Sequence, residues 1–178
     1  IALLLLFKQY DRYLIMVIWL IGLSGAGKST LANEVVSQIR QHNKNVVLID
    51  GDVIRELFDN DLGYSMEDRL KNAERISRLC KFLDDQGIHV VCAILSLFVE
   101  SRSWNRENLD NYFEVYIEVP VIELVKRDSK GIYKKYEEGK LKNVAGMDIE
   151  FPVPENADLT IRNLDSKQEF LSHAKTIA

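Results

Sequence analysis

Short apolar runs alternate along this chain with longer stretches whose apolar positions recur every three or four residues. Ile15–Ile21, Val46–Ile49, Ile88–Leu95, Phe113–Val119 and Leu159–Ile161 form the first class and are predicted strands. Several are apolar at successive positions, the pattern of strands covered on both faces. The second class is helical. After Lys28, the residues Leu31, Val35 and Ile39 recur every four positions, and between Glu67 and Gln86 the stripe is Ala73, Ile76, Cys80 and Leu83, with Gly87 as a stop. Ser65 with Asp68 and Ser166 with Glu169 carry helix-capping signatures, and the helix from Ser166 presents Phe170, Leu171 and Ala174 as a sheet cover. Strand–helix alternation of this kind implies right-handed crossovers. The predicted fold class is α/β: a three-layer sandwich with a mostly parallel five-stranded sheet.

The first fifteen residues read differently. Ile1–Phe7 and Leu14–Ile21 are apolar, but Lys8, Gln9, Asp11 and Arg12 separate them. Neither run approaches the ~20 residues of a bilayer span, and no positive charge precedes the first as in a secretory leader. Residues 1–15 are therefore expected to be an extension, with a single domain over 16–178. Composition narrows the function classes. The 178 residues carry 23 basic and 27 acidic side chains, a net charge of −4, against the clustered cations that duplex binding needs. Cys80 and Cys92 make no disulfide framework and no C-x-x-C pair, which suits a reduced, cytoplasmic protein. His42, His89 and His173 are isolated, so no zinc site is expected. Trp19 and both cysteines read as core, while Trp104, which follows the Ser96 loop, is not assigned to a cleft.

Gly22-Leu-Ser-Gly-Ala-Gly-Lys28-Ser29-Thr30 fits G-x-x-x-x-G-K-[ST] between a predicted strand and a predicted helix, the context this pattern requires. Gly22, Ser24, Gly25, Ala26 and Gly27 would turn backbone amides around a triphosphate at a helix N-terminus, followed by Lys28, Ser29 and Thr30. Lys28 would reach the β- and γ-phosphates, and the Ser29 hydroxyl would ligate Mg²⁺. The loop is expected to hold a nucleoside triphosphate together with Mg²⁺. A guanine-reading N-K-x-D element is missing, and the third strand ends in Ser96 without a carboxylate. The carboxylates follow the second strand instead, as Asp50-Gly51-Asp52. Such a pair can hold Mg²⁺ or accept a hydroxyl proton, although Asp-Gly-Asp is also good turn chemistry. Arg55 lies one helical turn beyond Asp52, and Arg69 and Asn72 fall on the first turn of the helix that Ser65 caps. This set suits an anionic acceptor; surface ion pairs with Glu56, Asp68 or Glu74 are the plainer alternative. From Lys126 to Lys142 seven cations face three acids, which is either a solvated helix face or a basic lid over about 126–148.

Taken together, Gly22–Thr30, Asp50-Gly-Asp52 with Arg55, Asp61-Leu-Gly-Tyr-Ser65 with Asp68-Arg69 and Asn72, Arg127-Asp-Ser-Lys-Gly-Ile-Tyr-Lys-Lys135, Lys142 to Asp148 and Pro154-Glu-Asn156 resemble the adenylylsulfate kinases. The resemblance implies the P-loop nucleotide-kinase fold and transfer of the ATP γ-phosphate to the ribose 3′-hydroxyl of adenylylsulfate. It implies that Lys28 and Asp52 are catalytic, with Asp52 beside Ser29 on the metal, and that Arg127 sits in the lid that closes on ATP. Asp50, Arg55, Tyr64, Arg69, Asn72, Leu95, Ser96 and Lys142 would hold the sulfonucleotide. It further implies a homodimer whose partner is a small-molecule nucleotide, neither nucleic acid nor membrane. Two stretches depart from the family pattern. Ser96-Leu-Phe-Val99 replaces Ser-Pro-Tyr-Arg, removing an anion-binding Arg, and Lys142-Asn-Val144-Ala-Gly146 replaces Lys-Gly-Phe-Thr-Gly, removing a base-stacking aromatic. Both fall on the acceptor side, in a space expected between Tyr64, Val99 and Val144. A kinase of another nucleotide-linked anion, such as a cytidine nucleotide phosphoramidate in surface-polysaccharide modification, is the alternative. A non-catalytic nucleotide-binding subunit would require a broken loop or missing acids.

Overall fold

The structure, a computed structural model, describes residues 16–164 and 166–178. The expected extension at residues 1–15 lies outside the described residues. Five strands, β1 (Val17–Ile21), β2 (Val46–Asp50), β3 (His89–Ile94), β4 (Tyr112–Glu118) and β5 (Leu159–Arg162), form one sheet in the order β2-β3-β1-β4-β5. Every neighbouring pair is parallel, with β1 between β3 (Val17 opposite Val90) and β4 (Val17 opposite Tyr112). The helices are α1 (Lys28–Arg40), α2 (Gly51–Leu57), α3 (Met66–Asp85), α4 (Val99–Asn108), α5 (Val121–Arg127), α6 (Ile132–Glu137), α7 (Lys167–Ser172) and α8 (Ala174–Ile177).

The successive apolar residues of β1 follow from its central place. Ile18 and Leu20 point to one face, where Val91, Ala93, Val115 and Ile117 join Leu31, Val35 and Ile39 of α1 and Phe170 and Ala174 of α7 and α8. Val17, Trp19 and Ile21 point to the other, against Val90, Cys92 and Ile94 of β3 and Ile76 and Cys80 of α3. Both cysteines are buried and unpaired, as their positions in these clusters require. Fully burying one such side chain contributes about 1.5–3 kcal/mol, so the two faces together anchor the sheet.

Caps set the helix starts as the sequence predicts. The Ser65 and Ser166 side chains accept from the amides of Asp68 and Glu169. The C-terminal helix departs from expectation, because it breaks at His173 into α7 and α8. The Ser172 hydroxyl donates to the Glu169 carbonyl at 2.6 Å and so competes with the helical ladder. Asn72 lies on the second turn of α3, not its first.

Candidate functional site

Open parallel sheets bind ligands at their carboxyl edge, where the connections diverge to opposite sides. Here β1 continues into the Gly22–Gly27 loop and the start of α1, β2 ends in Asp50 and β3 continues into Leu95 and Ser96, so three sequence-predicted groups meet at one edge. Gly25 and Gly27 adopt φ of +79° and +101°, values that side-chain-bearing residues rarely take. Gly27 caps α1, whose first amides have no intrahelical acceptor and carry the positive end of the helix dipole. Lys28 folds back so that Nζ donates to the Leu23 carbonyl at 2.9 Å. Burial, and next the Lys130 ammonium, lower its pKa from 10.5 to about 8, against the opposing pull of Asp50 and Asp52.

Asp50 serves two functions at once. Its Oδ1 accepts from the Asp52 amide at 2.9 Å, capping α2, while Oδ2 accepts from the Ser29 hydroxyl. The turn chemistry and the hard-oxygen cluster that Mg²⁺ prefers are therefore compatible. The acid touching Ser29 is Asp50, not Asp52, since Asp50 still lies on the strand end facing the loop. Asp52 instead meets Lys130 Nζ at 2.6 Å. That contact brings the basic 126–142 stretch onto the acid pair. The stretch is only partly a solvated face: Tyr133 is buried, with its hydroxyl donating to the Ser24 carbonyl at 2.9 Å.

A cavity of about 460 Å³ opens beside these groups. Of the predicted site residues, Ser24, Lys28, Ser29, Asp50, Asp52, Arg55, Tyr64, Arg69, Asn72, Leu95, Ser96 and Lys142 line it. Arg55 donates to the carbonyls of Leu62 and Gly63 at 2.9 and 2.7 Å, and Arg69 to those of Tyr64 and Asn143 at 3.0 and 2.8 Å. Both guanidinium groups lie over the Tyr64 ring, 4.7 and 5.4 Å from its centroid. Neither forms an ion pair with Glu56, Asp68 or Glu74 among the described residues. Burial, followed by the nearby Arg55 charge, lowers the Arg69 pKa. Asn72 is 6% exposed and its Oδ1 has no donor among the described residues. A buried acceptor left unpaired costs about 1–3 kcal/mol, which a ligand N–H would offset. Ser96 takes φ +56°, with Arg102 donating to its carbonyl at 2.8 Å.

Other expected residues lie elsewhere. Gly22, Gly25, Ala26, Gly27, Thr30 and Arg127, expected at the triphosphate, are not among the residues that line this cavity. Gly22 is needed for packing, because a Cβ there would stand 2.8 Å from the Ile117 carbonyl. Arg127 turns to the Asn163 carbonyl at 2.6 Å. Val99 does not bound the acceptor space either; it opens α4 on the surface, and Phe98 lines the wall. Val144 does line it and is buried, held by its amide to Asp148 Oδ1 at 2.6 Å. Trp104 is off the cavity, beside Arg78. Lys130, Tyr133 and Asn163 were not singled out from the sequence, for each acts on a segment 78 to 137 residues away.

Comparison with known proteins identifies the family. The family model for adenylylsulphate kinase matches residues 15–162. The cytidine diphosphoramidate kinase of Campylobacter jejuni is 41% identical over 147 residues, covering 83% of this chain and 85% of that protein. An adenylyl-sulfate kinase of Pseudomonas aeruginosa is 39% identical over 150 residues, covering 83% and 76%. The APS kinase of Mycobacterium tuberculosis, solved with AMPPNP and APS, superposes with a TM-score of 0.84 at 30% identity over 92% of this chain and 95% of that one. The chain therefore belongs to the adenylylsulphate kinase family and is a P-loop phosphotransferase with an alcohol group as acceptor.

Proposed function

We propose that the chain transfers the γ-phosphoryl group of ATP to the ribose 3′-hydroxyl of adenylylsulfate. One observation carries this reading: Ser24, Lys28 and Ser29 of the glycine-rich segment and the Asp50–Asp52 pair share a single cavity with Arg55, Arg69 and Asn72. The loop amides and Lys28 would cradle the triphosphate, with Arg127 in the lid beside it. Arg55, Arg69 and Lys142 would face the acceptor's anionic group, and Tyr64, Leu95 and Ser96 would line its nucleoside. Asn72 Oδ1 would accept from a base amino group. The ribose oxygen would form its bond to the γ-phosphorus as the bond to ADP breaks, and Asp52 would take the hydroxyl proton. Ser29 and Asp50 offer the hard oxygens that suit Mg²⁺, which when bound neutralises charge on the phosphates. Asp52 is engaged by Lys130, so that pair must open before the acid can act. The reading includes a cytoplasmic homodimer acting on a small molecule, and the two buried free thiols suit a reduced compartment.

A second acceptor, cytidine diphosphoramidate, is favoured by one specific feature. The cavity that Tyr64 lines also carries the aliphatic Val144 in place of a flat ring, and one stacked ring is worth about 1–3 kcal/mol to a nucleotide site. Steady-state assays with both acceptors decide between them. The first reading expects kcat/KM for adenylylsulfate to exceed that for cytidine diphosphoramidate by about tenfold or more, the discrimination a shaped pocket achieves. The reverse ratio selects the second, and turnover of neither contradicts both.

A further inference from the structure

The carbonyls of the glycine-rich loop are tied from outside by side chains remote in sequence. Tyr133, on α6, donates its hydroxyl to the Ser24 carbonyl at 2.9 Å. Asn163, the residue after β5, donates Nδ2 to the Ala26 carbonyl at 2.9 Å. Both side chains are held in place. Tyr133 is 1% exposed, and the Asp128 carboxylate accepts from its amide at 3.1 Å. Asn163 is 9% exposed, its amide donates to the Glu118 carbonyl at 3.1 Å, and its own carbonyl accepts from Arg127.

Peptide geometry gives these bonds a consequence. In a trans peptide the C=O and the following N–H point in opposite directions, and no cis bond occurs among the described residues. Drawing the Ser24 carbonyl outward turns the Gly25 N–H inward, and drawing the Ala26 carbonyl outward does the same for Gly27 N–H. Inward-facing amides at a helix start are what an anion requires. The glycines on their own allow many other conformations, so the loop needs external support to keep this one.

We infer that Tyr133 and Asn163 are positioning residues for the phosphoryl donor, a brace that holds the loop amides toward the triphosphate and links them to the Arg127 lid. Burial, with the Asp128 charge adding to it, raises the Tyr133 pKa to about 12, so the hydroxyl remains a donor throughout the neutral range. The inference rests on the loop being the donor site. Calorimetry of the unmodified protein with MgADP checks that premise separately, whichever acceptor turns over.

Two nearly isosteric variants test the brace. Tyr133→Phe removes only the hydroxyl, and Asn163→Asp replaces the donating amide by a group that cannot donate to Ala26. Each is expected to weaken MgADP binding by about tenfold, the scale of one lost buried hydrogen bond. The KM for the acceptor and the binding of Arg127 to the residue 163 carbonyl are expected to stay unchanged. Unchanged MgADP affinity in either variant overturns the inference. So does an equal loss for donor and acceptor, or failure of either variant to fold, because each would mark the contacts as general packing.

Discussion

Lys28 shows how burial turns a strong base into a pH-dependent ligand group. Its pKa of about 8 lies below the ordinary 10.5 because charge is disfavoured away from water and beside Lys130. The folded state thus binds this proton less tightly than the unfolded chain. Charged Lys28 costs folding stability below pH 8, and the cost fades as pH rises toward 10.5. Binding shows the opposite trend, since only the ammonium attracts phosphate. MgADP affinity measured by calorimetry should be level to about pH 8 and then fall by up to about tenfold per pH unit. Lys28→Arg should remove that fall, because a guanidinium stays protonated; the same fall in the Arg variant would take Lys28 out of the binding event. Lys28, Ser29, Asp50 and Asp52 were legible in the sequence because a loop between strand and helix fixes them locally. Their pairing was not: that Ser29 meets Asp50 while Asp52 meets Lys130 depends on where the chain comes back 78 positions after Asp52.

Among the elements, the strands were legible because burial on both faces leaves a run of successive apolar residues, as in β1. What each element does at its ends was harder to read. Phe98, not Val99, reaches the cavity because the backbone turns at Ser96 with φ +56° and α4 begins at the next residue but two. No spacing rule on one strand gives that turn. The start of α1 depends in the same way on the C-terminal elements. A Cβ on Gly27 would stand 2.8 Å from Asn163 Nδ2 and 2.9 Å from the Phe170 ring, at a φ of +101°. Gly27→Ala should therefore lower stability by about 2–4 kcal/mol, from backbone strain together with overpacking. Denaturant titration measures this, and a loss below 1 kcal/mol would mean that α7 yields without consequence to the loop. Such a result would also weaken the view that the sheet cover predicted from Phe170 and Ala174 helps shape the donor site.

At the scale of the whole molecule, strand order decides which residues can act together. The order β2-β3-β1-β4-β5 places the ends of β1, β2 and β3 side by side, so groups from Ser24 to Ser96 line one edge. The basic stretch after β4 then crosses to them through Lys130 and Tyr133. Alternation of strands and helices was enough to predict the layers, whereas the acceptor wall was only partly legible, since Val144 reaches the cavity through a loop pinned by Asp148 and Arg69. Among the described residues no helix is long and apolar enough to cross a membrane. The account predicts one chemical outcome above all others. Phosphorus NMR of the protein with MgATP and each candidate acceptor should show ADP and a new phosphomonoester in equal amounts, the latter coupled to the ribose 3′ proton. ADP matched by inorganic phosphate alone, or no change with folded protein, would contradict it.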